Sequence, residues 1–161
     1  MRTPEELRGA SKALYYELLM LDATARALSP RTTHEPHVGN AILESFLVHA
    51  RNLIDFLYLP KGGADDILAG DFFEKHDDWR RLRPKESAAL KVAKKKMNKL
   101  LAHLTYSRLK TGETDSKWDI MGLRSEIVSR MAVFVDNVAA HIIDTTLADL
   151  MCACRHGVSA H

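Results

Sequence analysis

The residues best suited to chemistry in this chain are an imidazole among lysines and an arginine between acids. On a helix over 84–109, Lys85, Lys96, Lys99, His103, Tyr106 and Ser107 project within about 60° of one line. Histidine exchanges protons near neutral pH, and lysines beside it suit a phosphodiester. A histidine hydrogen-bonded at the edge of a bundle is the plainer alternative. The second set lies in NAILESFLVHARNLIDFLY, where Glu44, Arg51 and Asp55 fall within about 40° of one another. Ser45, His49 and Asn52 form a neighbouring stripe that borders Phe46 and Phe56. Arg51 with Asp55 is an ordinary i,i+4 helix pair, and flanking acids commonly fix an arginine for structural reasons.

Other ligand-type residues are less well arranged. His34-Glu35-Pro36-His37 lacks a placed third ligand, and Cys152, Cys154, His156 and His161 lie near the end of the sequence. Cys-x-Cys on a helix points its sulfurs nearly oppositely, so no metal and no cofactor are expected. His141 falls on an apolar stripe beside Phe134 and Val138 and is expected to be interior. No phosphate-cradling glycine loop and no Ser/His/Asp arrangement occurs.

Helices must position these groups. Thr3 reads as an N-cap, followed by Pro4 at the first helical position and Glu5 and Glu6 in the first turn. Leu7, Leu14, Leu18, Leu21, Ala25 and Leu28 then give a helix over about 4–28 with one apolar face. Ile42, Phe46, Leu53, Phe56 and Leu57 predict a second helix over 38–59, stopped by Pro60-Lys61-Gly62-Gly63. Ile67, Leu68, Phe72, Phe73, Trp79 and Leu82 are too apolar for an idle loop, so 64–84 is expected to form short helical turns across the bundle.

A third helix is predicted from Pro84 to Leu109, with Leu90, Ala93, Met97, Leu100, Leu101 and Leu104 inward. Ser116 and Asp119 have capping-box spacing and open a last helix over 117–151, carrying Ile120, Leu123, Ile127, Met131, Phe134, Val138 and Ile142. The pattern predicts an all-α fold: an up-and-down four-helix bundle with a short helical insertion between helices two and three, in one domain spanning 1–161.

Composition agrees with a globular chain. Apolar residues make up 46% and charged residues 27%, and a domain of this length can bury a core without staples. No apolar run approaches the length of a membrane span, and MRTPEELRG has no apolar signal core, so a reducing cytoplasm and no membrane partner are expected. Net charge is +2, but 80–110 holds 11 basic residues and one acid, Glu86. The remaining 12 basic and 20 acidic residues set a −8 remainder against this +10 segment. Such asymmetry suits a phosphate-bearing ligand or an acidic partner surface, and also a solvated face neutralised by the rest of the fold.

At NKLLAH, Asn98 to His103, the chain resembles the HEPN superfamily of higher-eukaryote and prokaryote nucleotide-binding helical domains. That resemblance implies a helical bundle, often dimeric. It also implies metal-independent ribonuclease chemistry from an arginine, four to six residues, then a histidine on one helix. His103 matches the histidine, Asn98 stands where the arginine belongs, and Lys99 takes the following polar position. Arg51-Asn52 reproduces the family's Arg-Asn opening, with Phe56 in the histidine's place, and Arg155 with His161 repeats the spacing near the end of the sequence.

By this resemblance His103 is the acid/base, and Arg51 with Lys99 stabilises phosphate. Glu44, Asn52 and Tyr106 orient them, and Asn98 and Lys96 add to substrate binding. Two functions are therefore expected to compete. One is a domain that binds RNA or a nucleotide, either as an endoribonuclease or as an inactive relative. The other is a non-catalytic homodimer or scaffold whose basic segment meets an acidic protein surface.

Overall fold

A computed structural model describes residues 2–29, 34–101 and 117–156. The fold is all-α, with six α-helices among the described residues: α1 (Pro4–Ala27), α2 (Pro36–Tyr58), α3 (His76–Leu82), α4 (Ala88–Leu101), α5 (Ile120–Asn137) and α6 (Thr145–His156). None of them is long and apolar enough to cross a membrane.

Helix α1 starts as its sequence dictates. Thr3 Oγ1 accepts from the Glu6 amide, and a Glu6 carboxylate oxygen accepts in return from the Thr3 amide at 2.7 Å. Two orphan donors of the first turn are thereby satisfied. Its stripe of Leu7, Leu14, Leu18, Leu21 and Ala25 is buried. Helix α2 begins at Pro36, two residues before the predicted start, and packs against α1, α4 and α5. Phe46, Leu47, Ala50, Leu53, Ile54, Phe56 and Leu57 are all buried, an arc wide enough to serve several neighbours.

The insertion contains a 3-10 turn, Ala69–Phe72, and α3. Asp71 Oδ2 accepts from the Leu68 amide at 2.9 Å and closes that turn. Ile67 and Leu82 of the insertion are exposed, and its other apolar residues are structural. Phe72, Phe73 and Trp79 surround Phe134 of α5 with ring centroids 5.3, 6.3 and 5.7 Å away, and Phe56 of α2 completes the cluster at 4.9 Å. Most of these contacts are edge-to-face, the arrangement aromatic quadrupoles favour. Trp79 Nε1 and Arg83 Nη1 both donate to the Leu57 carbonyl at 2.8 Å, tying the insertion to the end of α2.

Three further boundaries differ from expectation. Helix α4 begins at Ala88, because the Ser87 hydroxyl accepts from the Leu90 amide at 3.1 Å. The α5 cap is Asp119, whose Oδ1 accepts from the Gly122 amide at 2.9 Å; Ser116 lies outside the described residues. The expected last helix over 117–151 is two helices, separated by a break at 138–144 that holds a 3-10 turn.

Asp144 makes the break. Its amide donates to the buried Ser11 hydroxyl of α1 at 2.8 Å, and its Oδ1 accepts from the Thr146 amide at 3.0 Å. A side chain that accepts two residues onward competes with helix continuation. His141, expected inside, is exposed in this turn, while Val138 and Ile142 remain buried.

One buried ionic group links α1 to α5 and lies against α6. Asp22 of α1 is 2% exposed and receives guanidinium donors from Arg26 and from Arg124 of α5, whose Nε lies 2.7 Å from Oδ1. Cys154 of α6 is near this group. Burial pushes its thiol above the usual range and the Asp22 carboxylate adds to the effect, while Arg124 and Arg26 pull the other way.

Phe134→Ala should lower stability by about 3–5 kcal/mol in urea unfolding, because the ring fills the centre of the aromatic cluster. Val92→Ala, at a position 66% exposed, should stay within about 0.5 kcal/mol of the parent. Thiol titration of the native protein near pH 7.5 should show fast modification of exposed Cys152. Cys154 should react on the timescale of unfolding; equal rates for both thiols would contradict its placement.

Candidate functional site

Helices α2 and α4 lie side by side, and one open groove of about 470 Å³ runs along their junction. Arg51, Asn52 and Asp55 come from α2, Lys94 and Asn98 from α4, and Asp66, Ile67 and Leu68 from the insertion. Phe56 and Leu59 add to its apolar lining. The helical period explains the set. Asn52 and Asp55 are three residues apart, as are Phe56 and Leu59, and Lys94 and Asn98 are four apart.

Asp55 is the electrostatic centre of the groove. Its Oδ1 lies 2.5 Å from the Lys94 ammonium and its Oδ2 lies 3.6 Å from Arg51 Nε. Oδ1 is sealed from solvent and makes no further hydrogen bond, so the ammonium is what compensates it. The Arg51 side chain is 39% exposed, which leaves part of the guanidinium open to the groove. A planar fork of this kind suits phosphate or carboxylate oxygens.

A second polar group backs this site from the α1 side. Glu17 Oε2 lies 2.8 Å from His49 Nδ1 and accepts from Asn52 Nδ2 at 3.1 Å. His49 is buried, with the Tyr16 ring edge-on at 5.6 Å. With Nδ2 of Asn52 committed to Glu17, its Oδ1 remains as an acceptor beside the groove.

Of the residues expected to act together, the structure gathers Arg51, Asn52 and Asn98 in the groove. Lys99 is exposed outside its lining, and Glu44, seven residues before Arg51, is exposed and also outside it. Lys96 turns elsewhere. Its ammonium donates to the Lys117 carbonyl at 2.9 Å and sits 4.2 Å from the Trp118 ring centroid, bracing α4 against the entry to α5. His103 and Tyr106, with Ser107, lie outside the described residues. Arg155 is held by Asp136 at 2.8 Å and by the Ala132 carbonyl at 3.1 Å, and His161 also lies outside the described residues.

Sequence reasoning missed Lys94, Asp66 and Glu17 as members of this neighbourhood. Lys94 was one of eleven basic residues with nothing local to single it out. Its pairing with Asp55 joins two helices, a contact that helical spacing within either one cannot display. No family model, curated protein or solved structure matches this chain.

Glu17→Ala should cost about 1–3 kcal/mol in chemical denaturation, since it strips a buried imidazole of its partner and frees the Asn52 amide. A cycle with His49→Ala should reveal coupling of about 0.5 kcal/mol or more, and additive effects would show that the two side chains act separately.

Proposed function

We propose that this chain is a HEPN-like helical domain that binds RNA or a nucleotide in the groove between α2 and α4. In this reading α1, α2, α4 and α5 take the four places of the helical bundle, with α3 and the 3-10 turn as the insertion and α6 as an added helix. The observation that carries the proposal is the shared groove. Arg51 and Asn52 from one helix line it together with Lys94 and Asn98 from the other. The Arg-Asn pair on α2 thus borders the helix that leads, in sequence, to His103.

Arg51 and Lys94 supply the charges that attract phosphate, and the two amides supply neutral hydrogen-bonding groups. His103 is the proton-moving group of the proposed ribonuclease reaction. In that reaction a ribose 2′-oxygen attacks phosphorus and gives its proton to the imidazole, and the bond to the 5′-oxygen breaks. The imidazolium returns that proton to the leaving 5′-oxygen, and the products are a 2′,3′-cyclic phosphate and a 5′-hydroxyl. The step needs no metal. Arg51 stabilises the charge that builds on the phosphoryl oxygens.

Anisotropy of a 3′-labelled single-stranded RNA that carries a 5′-phosphate should show binding that weakens steeply as salt rises. Arg51→Ala and Lys94→Ala should each weaken it by about tenfold and lower the salt slope by about 0.7 for each phosphate that is no longer neutralised. His103→Ala should leave binding close to wild type and abolish cleavage of the same RNA. Binding that ignores both salt and Arg51 would end the reading and leave a homodimeric or scaffold role in its place.

A further inference from the structure

We propose that the groove is selective for a terminal phosphate, a phosphomonoester, and that Asp55 imposes this selectivity by competing for Arg51 and Lys94. Such selectivity rests on the groove binding RNA or a nucleotide, and it narrows the ligand. Arg51 and Lys94 are balanced in the groove by Asp55 and Asp66, so the lining is formally neutral. Both cations already face an anion of their own chain, at 3.6 Å and 2.5 Å.

An incoming phosphate must draw those cations away from the Asp55 carboxylate. An internal phosphodiester carries one negative charge in its ground state, the same as the carboxylate, and gains little from the exchange; Arg51 serves it only as a second charge builds on its phosphoryl oxygens during cleavage. A phosphomonoester carries about 1.5 to 2 negative charges near neutral pH and presents three acceptor oxygens, so it wins the competition.

Size and lining point the same way. A groove of about 470 Å³ lies within the range of small-molecule sites and has the volume for a single nucleotide unit. Leu59 and Ile67 offer apolar surface for a base or sugar, backed by buried Phe56 and Leu68, and Asn52 and Asn98 offer amides to hydrogen-bond it. A free mononucleotide and the 5′-phosphorylated end of an RNA share this chemistry.

The test uses the full chain and two 3′-labelled RNA oligonucleotides of one sequence, one ending in a 5′-phosphate and the other in a 5′-hydroxyl. The wild type should bind the phosphorylated RNA about tenfold more tightly, and Arg51→Ala should erase the difference. Asp55→Asn should strengthen binding of the hydroxyl-ended RNA and narrow the ratio to about twofold, while Asp55→Glu, which keeps the carboxylate, should preserve it. Adenosine 5′-monophosphate that displaces the RNA where adenosine does not would name a mononucleotide as sufficient. Failure of the monophosphate beside strong binding of the phosphorylated RNA would assign the site to RNA ends.

Equal wild-type affinity for the two RNAs overturns the proposal, and so does an unchanged ratio in a folded Asp55→Asn protein. If the two RNAs bind equally but both weaken in Arg51→Ala, selectivity is wrong and the groove reading stands. If Arg51→Ala weakens neither, both are wrong.

Discussion

Helix α2 is claimed on three sides, and the rest of the structure is arranged around meeting those claims. Toward α1, His49 and Asn52 reach Glu17; toward α4, Asp55 reaches Lys94; toward α5, Phe56 packs on Phe134 and the Tyr58 hydroxyl accepts from Arg130 Nε at 2.8 Å. Each contact is specific in direction, whereas burial of Phe46, Leu53 and Ile54 is not. Burial brings the helices together, and the polar contacts fix their rotation. A helix turned by one residue, about 100°, would lose all three sets together.

That constraint explains what could be read in advance and what could not. The stripes of α1 and α5 lie where helical periodicity put them, because each helix buries one face and the period is a local property. The insertion was readable for a similar reason: Phe72 and Trp79 are too apolar to lie idle, and both are buried against Phe134. The break before α6 escaped notice because Val138 and Ile142 continue the apolar spacing across it. Its signal was Asp144 ahead of two threonines, and its anchor is Ser11, 133 residues away. A local cap was visible there, but the tertiary partner that makes it prevail over helix continuation was not.

The candidate site divides along the same line. Arg51 and Asn52 stood out because residue type and spacing on one helix are enough to suggest them. Lys94 did not, since its meaning comes from Asp55 on another helix. Asp22 shows the limit more sharply. In sequence it merely interrupts an apolar run, yet in the fold it is the buried acceptor for Arg124 of α5 and lies near Cys154 of α6. Removing one partner of such a group strands a buried charge, which costs about 3–5 kcal/mol. A polar residue on an apolar face therefore signals a partner without naming it.

The basic segment looks different once its partners are known. As sequence, 80–110 is a +10 block that invites a polyanion. In the fold much of that charge is already engaged: Arg80 with Asp77, Arg81 with Asp78, Arg83 with the Leu57 carbonyl and the Tyr58 ring, Lys94 with Asp55, and Lys96 with Trp118. Among the described residues, Lys85 ahead of α4 and Lys91, Lys95 and Lys99 on its outer face remain exposed, where salt screens them within about 10 Å. Four screened lysines make a weak and unselective field. In the proposed reading recognition comes from the groove, where net charge is near zero and the positions of two cations, two acids and two amides decide what fits. Charge counted along the chain locates the neighbourhood, and charge counted after pairing describes the site.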